Sequence, residues 1–267
     1  MRTGFGLLLL GLVVTGAPAE AAGPSFVQGG KLAACVDPSF PPMEFVQTPG
    51  QPPVGVDVDV VKGLADVWGV KADLTSMDFA GLLPGLESKR CDIVISGALL
   101  KPERLKTFDG VPYLKTGIVM IGRADDKGSY SSYEDFADKT IAVQAGTSYV
   151  DLLTKVNDKL AAAGRPKMTL QSYPKQTDAI QQVLVGRAVA SISQDTELAY
   201  RDLQQPGQLK VLYAAPEKDQ YAAYIRKDPG DAAALKEAVA KLAADGKLKE
   251  IAAKWKLPAS AAEGIGS

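Results

Sequence analysis

The feature that most restricts this chain is a repeated alternation of short apolar runs with amphipathic stretches. KLAACV (31–36) reads as a buried strand closed by Asp37-Pro38. A Pro- and Gly-rich connection follows, with a short strand over 54–56 and a helix carrying Val60, Val61, Leu64, Val67 and Trp68. Asp57 or Asp59 is expected to cap that helix, which is a more economical role for the pair than a metal site. A strand over 70–76, a helix over 79–88 and an apolar strand through Ile93, Val94 and Ile95 complete the first unit. Strand and helix in alternation are the mark of a mainly parallel α/β sheet.

The pattern then repeats. Strand-like runs occur at 118–121, 140–144, 168–171, 188–193 and 209–212, and helical spacing at 148–160, 178–185 and 197–203. The tail over 222–255 resembles neither unit alone, and the last residues, 259–267, are expected to fray. The 267 residues suffice for two modest domains.

Composition narrows the chemistry. Thirty Lys and Arg against 31 Asp and Glu leave a net charge of −1, which excludes the basic face that nucleic acid requires. Histidine is absent, so Ser-His-Asp and Cys-His arrangements and imidazole zinc sites are excluded. No P-loop and no G-x-G-x-x-G motif opens a helix, and neither a cofactor nor a metal is expected. At the amino terminus, Arg2 precedes an apolar run (5–14) shorter than the ~20 residues of a spanning helix. Small residues then offer cleavage after Ala19 or after Ala21, so residues 1–21 read as a signal peptide. No cysteine follows to take a lipid, and the expected destination is the periplasm.

Cys35 and Cys91 would enter an oxidising compartment. If their strands are parallel neighbours with aligned ends, the two are offset by roughly 10 Å, too far to bridge. Two buried thiols are therefore expected.

Four strand-to-helix junctions carry residues suited to a small zwitterion. Arg104 follows the strand ending at Ser96-Gly97, and its forked guanidinium matches a carboxylate. Gly146-Thr147-Ser148 opens a helix, whose free N–H groups favour an anion. Asp195 follows the strand over 188–193 and is a natural partner for an ammonium. Phe40 and Phe79 can cover the faces of a ligand. Singly, each has an ordinary reading as a solvated charge, a helix cap or a core aromatic; together they outline a cleft.

Seven stretches then carry a resemblance. They are VDPSFPPMEF (36–45), GVDVDVVKGLA (55–65), FAGLLPGLESKRCDIVISG (79–97), PERLKTFDGVPY (102–113), TIAVQAGTS (140–148), LVGRAVASISQD (184–195) and LAADGKLKEIAAKWKL (242–257). In this order they resemble the family-3 solute-binding proteins, the periplasmic amino-acid-binding components of ABC transporters. The resemblance implies a type II two-lobe fold, with lobe 1 formed by 25–113 plus 213–267, lobe 2 by 114–212, and two crossover segments between them. It implies a monomer that hands a small-molecule ligand to a membrane permease. Arg104, helped by Thr147 and Ser148, would hold the ligand carboxylate and Asp195 its amino group. Phe40 and Phe79 would flank the side chain with Asp37 near its polar end, and main-chain groups of Ser96 and Gly97 would contribute.

One departure stands out. The family usually has a hydroxyl two positions after the glycine of its Ser-Gly motif, and here that position is Leu99. A hydrogen bond to a charged group is worth roughly 1.5–3 kcal/mol. Its loss implies weaker amino-acid binding or a different small acid. Two other readings share the scaffold. One is an enzyme like the cyclohexadienyl dehydratases, with Glu44 or Glu197 as acid, and the other a ligand-free adaptor of a quinoprotein dehydrogenase.

Overall fold

A computed structural model of the protein describes residues 23–27 and 29–266, so the segment read as a signal peptide lies outside the described residues. In chain order the first elements are β1 (Lys31–Val36), β2 (Ser39–Phe40), β3 (Glu44–Phe45), α1 (Val56–Val67), β4 (Lys71–Ser76), α2 (Phe79–Glu87), β5 (Ile93–Val94) and α3 (Pro102–Leu105). Two long strands follow at different points in the chain. They are β6 (Phe108–Arg123) and, after β7 (Thr140–Gln144), α4 (Ser148–Ala162), β8 (Thr169–Tyr173), α5 (Gln176–Leu184), β9 (Ala190–Gln194) and α6 (Asp195–Gln204), β10 (Leu209–Arg226). Helices α7 (Pro229–Ala244) and α8 (Lys247–Lys254) close the chain.

Eight strands join in the order β4-β1-β5-β10-β6-β9-β7-β8. The pairs β1–β4, β1–β5, β7–β8 and β7–β9 are parallel, as strand-helix alternation requires. The long strands pair antiparallel with each other, from Phe108 opposite Arg226 to Arg123 opposite Leu209. One end of this ribbon receives β5 beside Tyr224 and Ile225; the other receives β9 beside residues 118–122. The strand-like runs expected at 118–121, 209–212 and 222–225 are therefore pieces of two long strands. Their register shifts between Ala214 and Lys218, midway along the ribbon.

Side-chain alternation sorts the core. Leu32, Ala34, Ile93 and Ile95 face α1, α7 and α8 and pack with Leu64, Leu235 and Ile251. On the opposite face, Cys35 and Val94 pack against Leu82 and Leu86 of α2. In the second half, Ile141, Val143 and Ile192 meet Leu153, Val156 and Leu160 of α4, while Ala142 meets Ala179 and Val183 of α5.

Local readings needed three corrections. Neither Asp57 nor Asp59 caps α1: Gly55 stands at that cap with φ 143°, and Asp57 is fully buried. Gly55 is obligatory there, because a Cβ would lie 2.1 Å from the Met43 carbonyl oxygen. The tail does not simply fray. A 3₁₀ turn at Ala259–Ala262 buries Ala261, Ala262 and then Ile265 against the α1/α7/α8 core, because small and aliphatic side chains there complete an apolar face.

The third correction concerns the cysteines, which form a disulfide with their Cα atoms 5.7 Å apart. The expected offset assumed an extended chain through Cys91. Strand β5 begins only at Ile93, and Cys91 lies in the turn that leaves α2, where the Arg90 N–H donates to the Gly85 carbonyl (2.9 Å). That turn folds Cys91 over the α2 side of the sheet, onto the face that Cys35 already occupies. The bridge joins residues 56 apart in sequence. Chain-entropy cost for such a loop is about 4 kcal/mol. The double substitution Cys35→Ala/Cys91→Ala is expected to lower unfolding free energy by up to that amount, read from denaturant titration under non-reducing conditions.

Candidate ligand-binding site

Beside the midpoint of the long ribbon lies a pocket built from both halves. Phe40, Phe79, Leu99 and Tyr149 supply its apolar walls, and Arg104, Thr147 and Ser148 its positive edge. Gln144, Gln176 and Gln194 supply amides, and the Gly97 backbone completes it.

Each wall has a local cause. Gly97 has φ +55°, and a Cβ there would sit 2.6 Å from the Phe40 ring, so the glycine lets Phe40 close over the backbone. Phe79 opens α2. Across the pocket, Thr147 is the N-cap of the 15-residue α4, and its hydroxyl donates to the Gln144 carbonyl (2.7 Å) rather than capping an N–H. The turn before it contains Gly146, where a Cβ would lie 2.6 Å from Ala80 Cα. The starts of α2 and α4 therefore touch across the cleft.

Arg104 is half-buried at the end of the short α3. Its guanidinium carbon lies 5.7 Å from the Phe79 ring centre and 5.9 Å from that of Tyr224. One nitrogen donates to the Leu99 carbonyl (2.9 Å), which also accepts from the Tyr224 hydroxyl (2.5 Å). Among the described residues Arg104 makes no ion pair, and a guanidinium has five N–H donors. It is a held but unneutralised cation.

Of the residues expected at a site, Phe40, Phe79, Gly97, Arg104, Thr147 and Ser148 come together in this pocket. Asp37, Ser96 and Asp195 do not line it. Ser96 is fully buried: its hydroxyl accepts from the Asp37 N–H (2.8 Å) and donates to Glu44 (2.8 Å). The Gly97 N–H is likewise spent, on Asp57 (2.6 Å), which also accepts from the Tyr113 hydroxyl (2.6 Å). Asp195 begins α6 and turns towards the ribbon, accepting from Thr116 (2.9 Å) and Lys218 (3.1 Å). The side chain that reaches the pocket there is Gln194, the last residue of β9.

Gln144, Tyr149, Gln176 and Gln194 escaped the sequence reading. Amides and a tyrosine have no charge pattern to betray them, and Tyr149 follows two better-known helix-opening residues. All four are buried, and the Tyr149 hydroxyl has no hydrogen-bond partner among the described residues. The glutamines also stitch the halves. Gln144 donates to Asp37 (2.6 Å), the Gln176 N–H to the Ser39 hydroxyl (3.3 Å) and the Gln194 amide to the Gly97 carbonyl (3.4 Å).

Beneath the pocket, burial raises the pKa values of three acids. Glu44 is pushed well above its ordinary value by burial and by the neighbouring Asp57. Asp57 is raised by burial, against the hydrogen bonds from Tyr113 and Gly97. Asp37 is pushed up to about 6 by burial, opposed by hydrogen bonds from Ser39 and Gln144.

Residues 32–258 match the bacterial extracellular solute-binding proteins, family 3. The chain belongs to that family. An arginine-binding protein of Corynebacterium glutamicum is 30% identical over 189 residues, 70% of this chain and 62% of that protein. The L-cystine-binding protein of Escherichia coli K12 is 27% identical over 230 residues, 85% of this chain and 82% of that protein. Among solved structures, an ancestral arginine-binding protein bound to arginine superposes with a TM-score of 0.76 at 28% identity, covering 85% of this chain and 98% of that one. An ancestral amino-acid-binding protein, a precursor of cyclohexadienyl dehydratase, gives 0.72 at 27%, covering 86% and 96%. The fold is thus the mixed α/β architecture of two-lobe amino-acid-binding proteins.

Asp37 sets a pH dependence of this family member's stability. An acid whose pKa rises on folding takes up a proton, so it favours the fold below its unfolded value of 3.8, and this contribution is lost as pH rises through 6. About two pKa steps correspond to about 3 kcal/mol at most. Asp37→Asn is expected to flatten the fall in melting temperature between pH 4 and pH 7 and to raise stability at pH 7.5, read by thermal unfolding across pH.

Proposed function

We propose that this chain is the solute-binding component of an amino-acid ABC transporter, exported to the periplasm through a cleaved signal peptide. It captures an amino acid or close analogue between two lobes, 25–113 plus 213–267 and 114–212, and delivers it to a membrane permease as a monomer. The observation that carries the reading is Arg104. It is a cation without a counter-ion among the described residues, packed between Phe79 and Tyr224, in the same pocket as the N-terminus of α4. A ligand carboxylate would meet its free N–H donors, with Thr147 and Ser148 beside it. Family membership supports the same class, since the relatives are binding proteins for arginine or cystine.

The ribbon of β6 and β10 is the natural hinge. Its register breaks between Ala214 and Lys218, and it is the hydrogen-bonded link between the strand sets of the two halves. Closure would form the contacts of Gln144 with Asp37 and of Gln194 with Gly97.

Binding without turnover is the reading that the pocket favours. Glu44 lies sealed beneath the Ser96 hydroxyl, and Glu197 is fully buried against Gln176 and Arg201. Neither acid lines the pocket, so neither is set to move a proton on a solute there. Incubation with prephenate is expected to leave its absorbance unchanged; turnover would favour the dehydratase reading.

Arg104→Ala is expected to weaken binding of a carboxylate solute at least tenfold, since a charge-assisted hydrogen bond is worth roughly 1.5–3 kcal/mol. Calorimetry on protein refolded free of carried-over ligand, with the common amino acids and their 2-hydroxy analogues, measures it. Unchanged affinity in the variant would remove Arg104 from the site.

A further inference from the structure

The glutamines beside the pocket are not free to turn. A carboxamide has donors on its nitrogen and an acceptor on its oxygen, so whatever holds the nitrogen also aims the oxygen. Gln144 directs its nitrogen at two acceptors, the Asp37 carboxylate (2.6 Å) and the Pro174 carbonyl (3.3 Å). Gln176 donates to the Glu197 carboxylate (2.8 Å), and Gln194 to the Gly97 carbonyl (3.4 Å). A half-turn of any of these amides would set oxygen against oxygen. Among the described residues, the Gln144 and Gln176 oxygens accept no hydrogen bond, and the Gln194 oxygen has one long contact from the Ser193 hydroxyl (3.4 Å).

The hold on Gln176 is built from the far side. Glu197 is fully buried and accepts from the Gln176 amide, the Ser193 hydroxyl and the Arg201 Nε (2.8 Å). A buried carboxylate needs partners of this kind. Glu197 and Arg201 stand one turn apart on α6, and Arg201 lines a separate cavity with Pro41 and Tyr200. Gln176 opens α5, and its own N–H meets the Ser39 hydroxyl of the first half (3.3 Å). Asp195 is not part of this chain. It is held by Thr116 and by the exposed Lys218, a weak surface pair that a solute ammonium can replace.

Resting on the amino-acid reading above, we infer that the solute's side chain ends in an N–H donor, as a carboxamide or a guanidinium does, and that Glu197 sets this preference without touching the solute. Glu197 is a positioning residue. Its carboxylate holds the Gln176 nitrogen, which leaves the Gln176 oxygen, with that of Gln144, to receive the donor. An acceptor left unpaired in a closed site is penalised, so a side chain without a donor binds less well. Glu197→Gln reverses the arrangement. The replacement amide keeps its oxygen on Arg201 and turns its nitrogen to Gln176, which then directs its own oxygen inward and its nitrogen at the solute.

Matched pairs test the inference. Calorimetry on protein refolded free of carried-over ligand would compare L-glutamine with L-glutamic acid 5-methyl ester, and L-arginine with L-norleucine. The donor-bearing member is expected to bind roughly tenfold more tightly, or better, in at least one pair. In the pair that discriminates, Glu197→Gln is expected to bring the ratio towards one or to reverse it. A merely structural role would weaken both members alike, and an unchanged ratio in a folded variant would overturn the assignment to Glu197. If Glu197→Gln fails to fold, Gln176→Leu decides: a ratio near one supports the inference, and an unchanged ratio overturns it. Equal binding within both pairs by the wild-type protein would overturn the inference and leave the Arg104 anchor standing. No binding by any of the four compounds would overturn the inference and the amino-acid reading together.

Discussion

The antiparallel pairing of β6 with β10 is the constraint from which the rest of the structure hangs. Two strands of 16 and 18 residues, separated by the whole second α/β unit, pair from Phe108 to Arg123. Each end of the ribbon is extended by a different strand set, so one continuous hydrogen-bond ladder supports both halves. The pocket sits beside the middle of this ribbon because the strand ends of both halves converge there. A ladder interrupted by a register shift can bend without losing its terminal pairs, which suits opening and closing around a solute.

The Ser96-Gly97 loop is held from below rather than by what it binds. Asp57 takes the Gly97 N–H and the Tyr113 hydroxyl, and Ser96 links the Asp37 backbone to Glu44. Burying these acids is expensive, and burial raises the pKa of each. What the cost secures is a loop whose backbone donors are committed. Arg104, Tyr149 and the three glutamines line the pocket beside that loop.

Much of this was legible in one chain. Alternating apolar runs announced the strands, because a sheet buried on both faces needs apolar residues in sequence, and amphipathic runs announced α1, α4 and α7. Arg104 and Thr147 were legible because junctions between strands and helices are where open α/β sheets bind. Asp195 was singled out for a related reason. It stands one residue past the strand end, and that single step sends its side chain to Thr116 and Lys218 while Gln194 reaches the pocket. Asp57 misled because a carboxylate in a first helical turn is ordinarily a cap, and nothing local signals a buried partner 40 residues away at Gly97.

The sequence by itself determined the class of fold, the strand-helix alternation, the position of Arg104 past a strand end and the departure at Leu99, since all of these are written in local pattern or in residue identity. Tertiary structure alone decided that Cys35 and Cys91 bridge, that two dispersed runs join as one long ribbon, and that no ionised acid lines the pocket among the described residues. The physical reason is the same in each case. Local periodicity fixes which face a side chain takes, but whether two faces meet depends on where the chain turns. One residue of turn at Cys91 or at Asp195 moves a side chain from one face to another.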